Sequence, residues 1–283
     1  MKATSIPSQA SETPAVSAAP SKAPEFEGQA FCVAGTADIK DKPGHDGSTI
    51  GTIENGAVAD IIERLGGWHY IAYGGSDGYV KSEYLKEIYE PDVPVPSGEW
   101  SLILVSPAHH LPKDFMVTLA DFEGGQVDAR ILDICSQMFL DAKADGVSLT
   151  LVDAYRSHLR QSELYQKKVD SYINKGYSRT DAEAKAATIT ARPDTSEHQT
   201  GLALDIVTPS YTKMNSGFAK TDAYNWFLEH AHSYGFALRY PSGKKQITKV
   251  IYEPWHWRFV GVEAAVSMKA RNQCLEEYLG VLD

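Results

Sequence analysis

Residues 195–207 read TSEHQTGLALDIV, and residues 253–256 read EPWH. The first stretch ends as a strand, GLALDIV over 201–207, with a carboxylate inside it. Leu202, Leu204 and Ile206 fall on one face of such a strand, and Ala203, Asp205 and Val207 on the other. Burying the Asp205 carboxylate among these apolar neighbours is costly without a cation or hydrogen-bond partners. His198 stands seven residues before it. Fully extended, that spacing covers roughly 23 Å, too far to share one centre. A chain reversal at Thr200-Gly201 removes the difficulty, because Gly201 can adopt a positive φ that other residues resist.

The second stretch offers another carboxylate, Glu253, and another imidazole, His256. In a regular strand residues i and i+3 face opposite ways. Pro254 breaks the ladder, so a bend there lets Glu253 and His256 converge. His198, Asp205 and His256 then form a two-His, one-Asp zinc set that leaves a fourth position for water. Glu253, outside that set, is placed as the general base of a hydrolysis. Taken singly these residues also admit plainer readings. His256 could be a core histidine beside tryptophans, and Asp205 could accept backbone N–H bonds.

Other metal patterns fit less well. HExxH does not occur. His230 and His232 fall two apart in a helical pattern, about 200° around the axis, and cannot meet at one ion. His109-His110 reads as a solvated loop, and His158 as a residue that caps or lines the helix it begins. The three cysteines, Cys32, Cys135 and Cys274, form neither a disulfide framework nor a CxxC site and read as small buried hydrophobes.

Around the two stretches the chain has mixed α and β texture. Strands are expected at 101–105, 147–154 and 201–207, with strand-like chain around a proline over 248–261. Helices are expected over 127–146, 158–176, 178–193 and 221–235, and from Glu263 to the end. Ile131, Ile134, Cys135, Met138 and Phe139 share the apolar face of the first helix. Residues 29–88 differ: short β-type runs alternate with Gly-containing turns, the texture of a small all-β unit. Between the two lies EPDVPVPSGEW, 90–100, whose three prolines predict a semi-rigid linker and loosely coupled domains. Residues 1–27 are dominated by Ala, Ser, Pro and Thr and read as a disordered tether. The expected division is 1–27, 28–90, 91–97 and 98–283.

The chain has 283 residues, 43% of them hydrophobic, enough for one large domain or two smaller ones, each with a buried core. Its formal net charge of −10 disfavours a nucleic-acid binder, which needs a basic stripe. No stretch approaches the ~20 apolar residues of a membrane-spanning helix.

The run Ser196-Glu197-His198-Gln199-Thr200-Gly201-Leu202-Ala203-Leu204-Asp205, followed by Glu253-Pro254-Trp255-His256, resembles the signature of the VanY-type D-alanyl-D-alanine carboxypeptidases, which include L,D-carboxypeptidases. Ala154-Tyr155-Arg156-Ser157 with Gln161, and Arg239-Tyr240-Pro241, match as well. The resemblance covers about 98–283. It implies an α+β zinc peptidase domain, an antiparallel sheet with flanking helices. It also implies Zn2+ on His198, Asp205 and His256, with Glu253 as the base. Arg156 would polarise the scissile carbonyl or clamp a substrate carboxylate. Ser196, Gln161 and Tyr240 would hydrogen-bond the terminal D-Ala, Trp255 would wall the pocket, and Ser157 belongs to the same substrate-binding group.

Residues 29–88 resemble a bacterial SH3 domain through Asp38-Ile39-Lys40, Gly66-Gly67-Trp68 and Asp77-Gly78-Tyr79-Val80. An SH3-like barrel is therefore expected in front of the peptidase, holding it on wall peptides. The resemblance implies a monomeric hydrolase acting on peptidoglycan stem peptides, D,D- over L,D-, at the cell surface, with any export signal removed. Two alternatives stand beside it: a wall endopeptidase on the same scaffold, and a non-catalytic wall-binding protein. The intact Glu253 argues against the latter.

Overall fold

The structure is a computed structural model that describes residues 26–282, so most of the expected tether at 1–27 lies outside the described residues. Seven short strands come first: β1 (Gly28–Cys32), β2 (Thr36–Lys40), β3 (Thr49–Glu54), β4 (Val58–Leu65), β5 (Trp68–Tyr73), β6 (Ser76–Lys81) and β7 (Leu85–Ile88). They pair antiparallel in the order β3-β2-β6-β5-β4-β1-β7. Period-2 alternation sends Ala59 and Ile61 of β4, Ile71 of β5 and Val80 of β6 into one core with Ile39 and Ile53. Gly78 lets β6 cross β2 closely, since a Cβ there would stand 2.4 Å from Ile39 Cγ2.

The second domain begins with the hairpin β8 (Leu119–Phe122) and β9 (Gly125–Asp128). Helix α1 (Leu132–Ala144) follows, then β10 (Thr150–Asp153), α2 (His158–Ile173), α3 (Arg179–Ala187) and β11 (Ala203–Val207). The chain continues through α4 (Asp222–His230), β12 (Phe236–Leu238), α5 (Lys245–Thr248), β13 (His256–Phe259), α6 (Val262–Arg271) and α7 (Leu275–Leu279). The sheet order is β10-β11-β13-β12, antiparallel throughout. Ile134, Cys135 and Met138 of α1 bury against Leu204 and Ile206, the apolar face of β11. Phe227 of α4 stacks on Trp257 of β13 at 4.8 Å.

Several expectations change. Residues 101–105 form no strand; a 3-10 turn occupies Glu99–Leu102 instead. The carbonyls of Ser101 and Ile103 serve the buried Arg258 guanidinium, each 2.9 Å from Nη2, in place of a ladder. The helix expected from 127 starts at Leu132, because Val127 and Asp128 are held in the β8–β9 hairpin. The helix expected to reach Pro193 stops at Ala187. The C-terminal helix is two helices, broken where Asn272 takes φ +50°.

The expected loose coupling of the two domains is not found. Val93 and Val95 pack on the peptidase core. Phe31 and Ile88 of the first domain bury against Val266 of α6. Asn55 donates to the Ala270 carbonyl at 3.1 Å and accepts from Arg271 Nε at 2.9 Å. The domains are therefore docked through an apolar patch with paired polar edges. Phe31 is 1% exposed, and truncating a buried Phe to Ala typically costs about 3–5 kcal/mol. Phe31→Ala is expected to lower the thermal midpoint by on the order of 10 °C. An unchanged midpoint in calorimetry would mean that this face does not hold the domains together.

Candidate metal centre and catalytic cleft

Strand register builds the centre. β11 and β13 pair so that Asp205 lies directly opposite His256. His198 arrives from a 3-10 turn, Glu197–Thr200, which Gly201 ends in the left-handed region at φ +73°. A Cβ on Gly201 would meet the Asp128 backbone nitrogen at 2.7 Å, so both conformation and space require glycine here. The reversal at Thr200-Gly201 is thus the one the His198–Asp205 spacing demanded.

His198, Asp205 and His256 present ligand atoms that all lie within 4.8 Å of one another, and all three residues are buried. His198 Nε2 stands 3.4 Å from Asp205 Oδ2, and His256 Nδ1 2.9 Å from Asp205 Oδ1. The Nδ1 of His198 lies 2.6 Å from the Ala154 carbonyl. A carbonyl only accepts, so Nδ1 carries the proton and Nε2 presents a lone pair inward. On His256 the arrangement is reversed. Its Nε2 is buried and lies 3.5 Å from Glu197 Oε2, leaving Nδ1 toward Asp205.

Glu197 was not assigned a part by the sequence reading. It is 1% exposed and anchored by Arg239 Nε and Arg258 Nη1, each 2.7 Å from Oε1. Arg239 continues to Glu276 through a bidentate pair at 2.7 and 2.8 Å. Burial alone would favour the neutral acid, but the two guanidiniums outweigh it and hold Glu197 ionised. The signal was present as an arginine inside the apolar run HWRF, a charge that a buried strand must pair.

The same opposition of terms acts at the ligands. Burial pushes His198 down, with the neighbouring Arg156 acting in the same sense. At Asp205 the two histidines outweigh burial and hold the carboxylate ionised. At His256 burial is outweighed by Asp205 and Glu197, which raise it to about 9.

Glu253 and His256 meet through a turn. The His256 N–H donates to the Glu253 carbonyl at 3.1 Å across Pro254-Trp255. Glu253 Oε2 lies 3.9 Å from His256 Nδ1, and burial pushes this carboxyl up to about 8. The bend expected at Pro254 is therefore present.

Arg156 projects beside the triad. Its Nη1 donates to Gln161 Oε1 at 2.6 Å, its Nε lies 3.0 Å from Asp153 Oδ2, and its Nη2 3.7 Å from Asp205 Oδ2. Gln161 is fully buried, and its Nε2 donates to the Ala191 carbonyl at 2.7 Å. Both ends of that amide are thus engaged in positioning Arg156. Ser157 caps α2, its Oγ accepting from the Arg160 N–H at 3.2 Å, and it does not line the cleft. His158 begins α2, with Nε2 3.6 Å from Asp194 Oδ2. His232 is buried behind the sheet, its ring 5.5 Å from Phe31, away from the triad. The three cysteines are buried and free.

The triad, Glu253, Arg156, Ser196, Tyr240 and Trp255 all line one cleft of about 570 Å³. The Tyr240 ring packs 4.9 Å from His256. Every residue lining the cleft comes from the second domain. The donor set fits zinc: two imidazoles, one with its tautomer fixed by the Ala154 carbonyl and one facing Glu197, plus one ionised carboxylate.

The VanY D-alanyl-D-alanine carboxypeptidase family matches residues 124–262, and the bacterial SH3 domain family matches residues 35–86. A D-alanyl-D-alanine carboxypeptidase of Enterococcus faecalis is 41% identical over 182 residues, 64% of this chain and 66% of that protein. The protein YodJ of Bacillus subtilis is 34% identical over 217 residues, 72% of this chain and 76% of YodJ. A structure of VanYB in complex with D-Alanine-D-Alanine shares 40% identity and superposes with TM-score 0.59, covering 64% of this chain and 98% of that one. A VanY mutant from a VanB-type resistance cassette, in complex with Zn(II), shares 41% identity at TM-score 0.58, covering 64% of this chain and 99% of that one. Taken with the buried two-His, one-Asp centre, these likenesses place the chain in the VanY family of zinc-dependent D-alanyl-D-alanine carboxypeptidases, with a bacterial SH3 domain preceding the peptidase domain.

Proposed function

We propose that the protein removes the C-terminal D-Ala from peptidoglycan stem peptides, D,D- in preference to L,D-. The observation that carries this reading is the register that sets Asp205 opposite His256, with His198 and Glu253 closing on the same point. The preference for the D,D-bond is supported by the 40% identity to VanYB, whose complex holds D-Alanine-D-Alanine.

His198, Asp205 and His256 would hold the zinc ion. Zinc, when bound, supplies Lewis-acid polarisation and acidifies water at neutral pH. Glu253 takes the proton from the attacking water as its oxygen bonds to the scissile carbonyl carbon. It then delivers a proton to the D-Ala nitrogen as the C–N bond breaks. Glu253 is placed for both transfers, its Oε2 3.9 Å from His256 Nδ1 at the edge of the triad. Arg156, fixed by Gln161 and Asp153, polarises the scissile carbonyl or clamps the terminal carboxylate. Ser196 and Tyr240 hydrogen-bond the terminal residue, and Trp255 walls its pocket. The SH3 domain holds the enzyme on wall peptides at the cell surface, and the protein acts as a monomer.

A terminal carboxylate is what separates this enzyme from an endopeptidase. Removing its charge leaves buried donors unpaired, at about 1–3 kcal/mol per group, or roughly 10–100-fold each in rate. Amidating the C-terminus of a pentapeptide is expected to reduce kcat/KM at least 100-fold, on the order of two such groups. Equal cleavage of acid and amide would favour the endopeptidase instead.

A further inference from the structure

Resting on that reading, we propose that α2 forms a subsite for a carboxylate on the substrate, carried two to three residues upstream of the scissile bond. Leu164, Lys167, Lys168 and Ser171 of α2 line the catalytic cleft. Their spacing of three, four and seven puts them on one helix face. A groove continues outward along the same helix past Glu163, Lys167, Asp170 and Ser171 to Lys175 just beyond its end. Gln161, which fixes Arg156, marks the reaction end of this wall.

Lys168 lies seven residues beyond Gln161. Two helical turns span about 10 Å, the length of roughly three residues of extended peptide. Only one residue leaves on the C-terminal side of the cut, so this extension serves the upstream chain.

The charge there is unspent. Among the described residues neither Lys167 nor Lys168 forms an ion pair or hydrogen bond. The two acids of α2 on the outer groove, Glu163 and Asp170, are held by Arg160 at 3.2 Å and by Gln166 at 2.8 Å, and neither lines the catalytic cleft. Within the cleft Asp153 faces Arg156, Glu197 faces Arg239 and Arg258, Asp205 faces the two histidines, and Glu253 lies 3.9 Å from His256. A chain of formal net charge −10 thus keeps two unpaired ammonium groups on the wall of its catalytic cleft. Ala187, Ile189, Thr190 and Ala191, which also line the cleft, carry no charge. A peptide whose second or third residue upstream bears a free carboxylate complements this wall, and its carboxamide does not.

The test uses the full zinc-loaded chain and pairs of pentapeptides ending in D-Ala-D-Ala. Members of a pair differ only in carboxylate against carboxamide at the second or third residue before the scissile bond. The acid form is expected to be cleaved with roughly 5-fold higher kcat/KM at low ionic strength, as two half-exposed ion pairs allow. Salt should shrink that ratio. The K167Q/K168Q variant should bring it near one, and K167E/K168E should invert it. Equal cleavage of acid and amide by the unaltered protein overturns the subsite, as does a ratio that persists in K167Q/K168Q. Binding of the same pairs to Glu253→Gln, by calorimetry, separates this from the parent reading. If no peptide loses D-Ala the carboxypeptidase reading fails, and the acid-to-amide ratio of binding constants still decides the subsite.

Discussion

Replacing Glu253 by Gln is expected to lower kcat by roughly 10²–10⁴-fold, the range of a lost general acid–base group, while the protein stays folded and keeps its zinc. Glu253 stands apart from the three residues whose ligand atoms cluster, so an amide there leaves the donor set complete. The substitution conserves volume at a position only 8% exposed, so the cleft wall keeps its packing. What disappears is a group able to take a proton from water and return one to a leaving amine. The amide also removes a carboxyl that sits near Asp205 and Glu197, a neighbourhood that helps push Glu253 up, so stability should not fall. Zinc content and thermal midpoint measured beside kcat make the comparison clean. A folded, zinc-loaded and fully active variant would mean that another group moves the proton.

His256→Ala should strip the centre of most of its metal. Three protein ligands are the usual complement of a catalytic zinc site, and removing one leaves two. The fold should survive, because Glu197 retains Arg239 and Arg258 as partners when the imidazole is gone. Glu197→Gln gives a graded comparison. It preserves all three ligands but weakens the contact that orients His256, an outer-partner loss typically worth 10–100-fold in metal affinity. Competition against a chelator of known affinity reads both variants without reference to turnover. Full zinc retention in His256→Ala would remove that residue from the ligand set.

The legible part of the molecule is the part where chemistry and local backbone demand the same residue. Gly201 had to reverse the chain if His198 and Asp205 were to meet, and it does so at φ +73°. Pro254 had to bend it if Glu253 and His256 were to converge, and the turn is there. The opposition of Asp205 and His256 across β11 and β13 was not readable, because nothing in either segment fixes their register. Nor was the use of residues 101–105 as acceptors for Arg258, since their apolar run looks like a strand until a distant guanidinium claims its carbonyls. The docked SH3 domain was obscured for a similar reason: three prolines describe the stiffness of a linker but not what its valines touch. Gln161 illustrates a finer limit. Its place in the motif suggested a substrate contact, and the structure places both ends of its amide on Arg156 and Ala191.

Release of a single terminal D-Ala is the reaction that this centre is built to perform. Incubating the zinc-loaded protein with defined tetrapeptide and pentapeptide muropeptides, and identifying products by mass spectrometry, tests it most directly. The pentapeptide is expected to lose one D-Ala and become the tetrapeptide, with free D-Ala as the sole small product, and Glu253→Gln to release it roughly 10²–10⁴-fold more slowly. Cleavage inside the stem, or an unchanged pentapeptide in the presence of bound zinc, would contradict it.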